Sequence, residues 1–310
     1  MKEFELIGRL IKSLPGNESL VVGAGDDCAV LDVGMADRVL LFKTDAVVEG
    51  VHFTAETPPE KIGRKALARC LSDIAAMAGV PTAAVVTLGL PRDFDAERVE
   101  KIYAGLNALA LENGVAIAGG ETVLNPERVL LSVALIGTAG RGKCVLRTGA
   151  RAGDAIFVTG ELGGSITGHH LDFLPRLAEA RWLAEHFSVH AMIDVSDGLA
   201  GDLRHLLNAG RVGAELLGTA IPVRRSAKLA SKAESSAKPP LLAALTDGED
   251  FELLFTVASR DAVPLLDAWK TQFPEVKLSC IGKITAEEGL RIRQHNGVRP
   301  FTAHGYEHFA

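Results

Sequence analysis

Acidic residues recur along this chain at points where a backbone turns or a strand ends, and that recurrence narrows the folds open to it. Asp26 and Asp27 stand side by side in Gly23-Ala24-Gly25-Asp26-Asp27, and Asp45, Asp73, Glu121, Asp194 and Asp197 follow. Adjacent carboxylates repel, so a folded chain either separates such groups or supplies cations where they meet. A cleft that drew all seven together would need several divalent ions. Magnesium takes oxygen ligands and shares them with substrate phosphates. The pattern therefore points first to ATP chemistry.

With 310 residues, the chain exceeds the size at which one hydrophobic core usually stops growing, so two domains are expected. A basic, glycine-containing stretch at 140–153 is the natural boundary, dividing residues 1–140 from 150–310. A net charge of -6 excludes a broad nucleic-acid footprint, which would show as a basic face. No apolar run reaches the roughly 18 residues of a membrane span, and a cytoplasmic protein is expected. The N-terminal 1–15 stretch has the spacing of an amphipathic surface helix and not the core of a signal peptide. Cys28, Cys70, Cys144 and Cys280 are scattered without paired spacing, which argues against a disulfide framework or a zinc site.

Apolar runs at 39–42, 83–90, 129–136, 155–158 and 251–257 have strand length and β-branched content. Helical periodicity marks 60–78, 96–112, 175–186, 199–208 and 261–272. The fold class is α/β (α+β). Serine- and lysine-rich 224–240 reads as a solvated insertion or loose helix. Asn296-Gly297, set between 290–293 and 298–301, signals a two-residue hairpin.

Each acidic motif carries a structural alternative. Asp26-Asp27 forms a tight connection between extended segments, either a ligand pair or an ordinary Asp-Gly turn. Thr44-Asp45 closes the strand at 39–43, offering two oxygen ligands or a cap. Ala66, Cys70, Asp73 and Met77 share one helical stripe, which puts Asp73 on an apolar face, unless it simply pairs with Arg69 four residues earlier. Gly119-Gly120-Glu121-Thr122 follows an apolar segment, and its N–H groups suit a phosphate. Asp194, Ser196 and Asp197 stand where a strand gives way to a helix, fitting either an N-cap or a phosphate site. The glycine-rich loop at 160–168 lacks the Gly-Lys-Ser/Thr ending of a P-loop. His52 is a candidate for an anionic substrate or an ordinary structural histidine.

In order, GAGDDCAV at 23–30, KTDAVVEGVHF at 43–53, ALARCLSDIAAMAGVP at 66–81, AGGET at 118–122, LRTGARAGD at 146–154, IDVSDGL at 193–199 and DGEDFELLF at 247–255 resemble the thiamine-monophosphate kinase family. More distantly they resemble the superfamily of aminoimidazole ribonucleotide synthetase. The resemblance implies a two-domain synthetase-like fold, a homodimer joined through a β-barrel-like interface of the N-terminal domains, and an ATP cleft completed by the second domain. It implies magnesium ligands at Asp27, Thr44, Asp45, Asp73, Glu121, Asp194 and Asp197, with Asp45, Asp197 and Arg147 closest to catalysis. Gly120, Glu121, Arg147 and Ser196 would meet ATP. His52, Glu249 and Tyr306 would meet thiamine monophosphate, Tyr306 being located by the short motif at 305–309.

The implied reaction is direct in-line phosphoryl transfer from ATP to thiamine monophosphate, several magnesium ions neutralising the phosphates. Two departures stand out. Lys43 replaces the family's usual small hydroxyl residue, and Gly-Gly-Glu-Thr replaces Gly-Gly-Asp-Thr. They keep open two alternatives, another ATP-dependent synthetase of the superfamily and a silent ATP-binding paralogue.

Overall fold

A computed structural model describes residues 3–233 and 237–306. Residues 1–2, 234–236 of the serine-rich stretch and 307–309 of the C-terminal motif lie outside the described residues. The chain forms two sheets. The first collects β1 (Leu20–Val22), β2 (Ala29–Leu31), β3 (Arg38–Val48), β4 (Val80–Leu90), β5 (Ala116–Leu124) and β6 (Leu130–Gly140) in the order β1-β2-β3-β6-β4-β5. Its helices are α1 (Glu3–Ile11), α2 (Pro59–Ala76) and α3 (Ala96–Glu112). All its pairings are antiparallel except β4 with β5, which α3 joins as a parallel crossover.

The second sheet follows, built from β7 (Ala155–Thr159), β8 (Val189–Asp194), β9 (Gly213–Leu217), β10 (Leu253–Val257), β11 (Leu278–Thr285), β12 (Gly289–Gln294) and β13 (Gly297–Pro300). Its order is β13-β12-β9-β11-β7-β10-β8. The helices around it are α4 (His169–Asp172), α5 (Leu177–His186), α6 (Leu199–Gly210), α7 (Arg225–Ala233), α8 (Pro240–Thr246) and α9 (Ala262–Gln272).

The sheets differ in how they are covered. β7 and β10 are buried throughout, matching their largely apolar runs. Phe157, Met192, Phe255 and Trp269 on one side join the core beneath the first sheet, while Ile156, Val158, Ile193 and Leu254 form a second core with α6. In the first sheet, β6 alternates half-buried and buried along its whole length, and only its odd-numbered side chains reach the core. The other face is uncovered and carries exposed Phe42, Val80, Val85 and Val123.

Helix α2 lies between the two halves, touching α3, β3 and β6 on one side and α4, α5 and β8 on the other. Its proline at the first helical position suits a helix start, where no N–H partner is needed. Close packing on α3 is made possible by glycine: a Cβ at Gly63 would sit 1.8 Å from the Ile102 carbonyl, and one at Gly105 1.8 Å from that of Glu60. Apolar and small residues dominate it, yet Lys65, Ser72 and Asp73 are buried within it.

Some local expectations shift. β3 continues through Val48, so Thr44 and Asp45 stand in mid-strand and cap nothing. Gly119, Gly120 and Glu121 lie inside the exposed strand β5, not in a connection. The hairpin near the C-terminus forms, but Gln294 pairs with Gly297, so the two-residue loop is His295-Asn296 and Gly297 opens the next strand with φ 104°. Helix α6 is preceded by Gly198, which has no side-chain capping bond, so neither Ser196 nor Asp197 acts as its N-cap.

Candidate active site

The site is strung along one stripe of α2. Lys65, Arg69 and Asp73 repeat every four residues, with Ser72 beside Asp73. Each meets residues far away in sequence, so the helix acts as a rod that spaces two charge clusters.

At the Asp73 end, Asp27 from the β1–β2 connection, Asp73 and Asp194 from the end of β8 bring ligand oxygens within 4.8 Å of one another, and all three are buried. Ser72 Oγ donates to Asp194 Oδ2 at 2.6 Å. Burial first, then Asp27, pushes Asp194 up to about 7. Asp73 is pushed above the usual carboxylate range by burial, although Lys43 opposes the shift. Lys43 Nζ lies 2.9 Å from Asp73 Oδ1, so the ion partner of Asp73 is Lys43, while Arg69 goes to Asp45.

Arg147 closes the other side, donating from Nη2 to Asp27 Oδ1 at 2.8 Å. Its backbone N–H donates to Asp26 Oδ2. Asp26 is pushed up to about 6 by burial and the neighbouring Asp27 charge. Three buried carboxylates with hard oxygen donors fit magnesium.

At the Lys65 end the charges are matched. Lys65, fully buried, donates to Glu249 Oε2 at 2.7 Å and to the His52 carbonyl at 2.6 Å, and its ammonium lies 2.8 Å from His170 Nδ1. Arg69 donates to Asp45 Oδ2 at 3.0 Å and reaches Glu249 Oε1 at 3.4 Å. Burial raises the Glu249 carboxyl, but the bond from His170 and the Lys65 and Arg69 charges outweigh it and hold the group down at about 2. Lys65 in turn is lowered to about 8, burial outweighing its carboxylate partner.

Glu249 and Phe251 both have positive φ, 66° and 51°, a costly conformation for such side chains. The Glu249 N–H to Ser196 O bond of 2.6 Å and the Ser165 hydroxyl to Glu249 O bond of 2.6 Å hold the loop there. A cavity of about 510 Å³ opens over this cluster, lined by His52, Arg69, Ser196, Asp197, Glu249 and Tyr306 among others. Val48 N–H donates to His52 Nδ1, which aims Nε2 elsewhere. Asp197 is held from behind, its N–H donating to buried Asp202.

Not every sequence candidate converges within one chain. Successive pairings place Glu121 opposite Thr87, Thr87 opposite Ser132 and Ser132 opposite Ala46, three strand spacings or about 14 Å across the sheet. Glu121 thus shares the uncovered face with Thr44, whose hydroxyl approaches Ser132 Oγ. Asp45 and Lys43 point the opposite way, toward α2. A Cβ on Gly120 would meet the Val86 carbonyl at 1.8 Å, so glycine there lets β5 approach β4.

Sequence reasoning missed Lys65, Ser72, His170 and Asp202 as parts of the site. A visible signal existed for one of them: Lys65, Arg69 and Asp73 form a charged stripe at four-residue spacing, the last two inside the otherwise mostly apolar run at 66–76.

Residues 25–139 match the family described as AIR synthase related protein, N-terminal domain, and residues 151–295 the corresponding C-terminal domain. A thiamine-monophosphate kinase of Rhodopirellula baltica is 40% identical over 278 residues, covering 87% of this chain and 85% of that protein. The chain belongs to the thiamine-monophosphate kinase family. Another thiamine-monophosphate kinase, from Bacillus subtilis, is 34% identical across 84% of this chain and 85% of its own length. Among solved structures, AaThiL complexed with AMPPCP and TMP superposes with a TM-score of 0.83 at 29% identity, covering 99% of this chain and 97% of that one. For a thiamine-monophosphate kinase family member, the carboxylate-rich and charge-matched ends of α2 are the features that need a chemical role.

Proposed function

We propose that this chain phosphorylates thiamine monophosphate with ATP, giving thiamine diphosphate and ADP. One observation carries the reading: in a chain of this family, three buried carboxylates converge at one end of α2, and a cavity lined by Arg69, Lys238 and a constrained glutamate opens at the other. The solved AaThiL complex, which carries AMPPCP and TMP, supports the same pair of substrates.

The acceptor is a phosphate oxygen already anionic at neutral pH, so no side chain need remove a proton. The difficulty is bringing two polyanions together. Magnesium held by Asp27, Asp73 and Asp194, with Asp45 and Asp197 at the rim, would neutralise the phosphates and align the transfer. Arg147 supplies a fixed positive charge beside Asp27 and Ser196 lies at the cavity wall for ATP. His52, Glu249 and Tyr306 face the space proposed for thiamine monophosphate. A thiazolium above the Tyr306 ring gains about 0.5–2 kcal/mol by cation–π attraction. Glu249 would meet that cation through Oε1, which has only the long 3.4 Å contact with Arg69, whereas Lys65 and His170 crowd Oε2.

The reading includes a cytoplasmic homodimer. No described helix is long and apolar enough to cross a membrane, and the uncovered face of the first sheet offers an apolar surface for a second copy. Thr44, Gly120 and Glu121 join the site in this reading through that pairing. The division into residues 1–140 and 150–310 follows sheet membership, since the first sheet ends at Gly140 and the second begins at Ala155.

The test is magnesium- and ATP-dependent formation of thiamine diphosphate from thiamine monophosphate. Product made from thiamine monophosphate and not from thiamine supports the reading; ATP binding without product contradicts it.

A further inference from the structure

Two cations stand against the three carboxylates. Lys43, on the core-facing side of β3, places its ammonium 2.9 Å from Asp73 Oδ1, and Arg147 holds Asp27 Oδ1 at 2.8 Å. Asp194 differs: its Oδ2 is held by the neutral Ser72 hydroxyl. We propose that the Lys43 ammonium is a built-in cation of this cluster, filling the place at Asp73 that a divalent ion would otherwise take, so that the site binds one divalent ion fewer than its carboxylates could hold.

The geometry is exclusive. Magnesium binds oxygen at about 2.0–2.1 Å and demands a near-octahedral shell. An ammonium already bonded to Asp73 Oδ1 competes for that oxygen and repels an ion placed beside it. Lysine suits the task, being a compact point charge with three donors. Of the three carboxylates, Asp73 and Asp27 each have a cationic partner, which leaves Asp194 as the one from which a divalent ion still gains full charge compensation.

This inference rests on reading the cluster as a magnesium site, and its test separates the two. Mn²⁺ binding to the full, nucleotide-free chain is counted by electron paramagnetic resonance and calorimetry for the native protein, Lys43→Ser and Lys43→Met. One additional Mn²⁺ per chain in both variants is the expected result; unchanged stoichiometry overturns the proposal. If those variants do not fold, Lys43→Gln, which keeps a donor beside Asp73 without the charge, decides: one additional ion supports the built-in cation, and unchanged stoichiometry overturns it. Absence of Mn²⁺ binding in every protein overturns it together with the metal site. A chain that makes no thiamine diphosphate yet gains an ion on losing Lys43 keeps this proposal and sinks the kinase reading.

Discussion

The two ends of α2 bury comparable numbers of charges and push them in opposite directions. Around Asp73, carboxylates outnumber cations: Asp26, Asp27, Asp73 and Asp194 face Lys43 and Arg147, and Asp26 and Asp194 rise to about 6 and 7. Around Lys65 the charges are matched: the carboxylates Glu249 and Asp45 share Lys65 and Arg69, and Glu249 falls to about 2. Burial opposes ionisation at both ends, so the count of opposing charges decides the sign. The acidic end gains by taking up cations, and the matched end does not.

Removing a carboxylate from the acidic end breaks this contrast most severely. Asp194→Asn is expected to lower kcat/KM by roughly 10³-fold, as loss of a group stabilising transferred charge does. The same variant should melt at a higher temperature than the native protein without magnesium, because a buried repulsion is gone. Melting curves with and without the ion check this, and a metal-free variant that melts lower would contradict the account.

At the matched end, Glu249→Gln strands the fully buried Lys65 beside Arg69. A stability cost of about 3–5 kcal/mol is expected, with KM for thiamine monophosphate raised. Lys65→Met should cost less, since Glu249 keeps Arg69 and His170. Denaturant titration of both variants measures the difference, and equal losses would show that the two charges are not coupled.

Stability against pH sharpens the contrast further. Asp26 and Asp194 have folded values above the ordinary 3.8, so the folded state holds protons that the unfolded state has lost. Metal-free stability should therefore rise as pH falls from about 7 toward 4. Glu249 has the opposite sign. Its contribution, about 3 kcal/mol from a shift of 4.5 to about 2, is present above pH 4.5 and lost as pH falls through the folded value. A maximum near pH 4–5 is expected in the metal-free protein, and magnesium should stabilise chiefly the upper limb. The smallest effect belongs to a pair outside both clusters: breaking the exposed Lys101–Glu97 pair should leave the melting temperature essentially unchanged.

Much of the fold could be read from the chain, and the limits have physical causes. The helix expected at 96–112 coincides with α3 because its apolar spacing is regular and Asp95 caps its start. The strand expected at 39–42 was too short because Lys43, Thr44 and Asp45 break the apolar run, although β3 carries two of those charges on its core-facing side. β9 and β11 gave no clear strand signal, their glycines and polar residues diluting the pattern. In the site, Asp27, Asp73 and Asp194 were each legible from local motifs. Lys65 offered only its place in a charged stripe, because its partner Glu249 lies 184 residues away.

The most direct test of the central claim compares native protein with Asp45→Asn in magnesium- and ATP-dependent conversion of thiamine monophosphate. Asp45 links the two ends, accepting from Arg69 while feeling the Lys43 charge. The account predicts thiamine diphosphate from the native chain and at least a hundredfold slower turnover in the variant. ATP bound without product by the native chain, or full activity in Asp45→Asn, would contradict it.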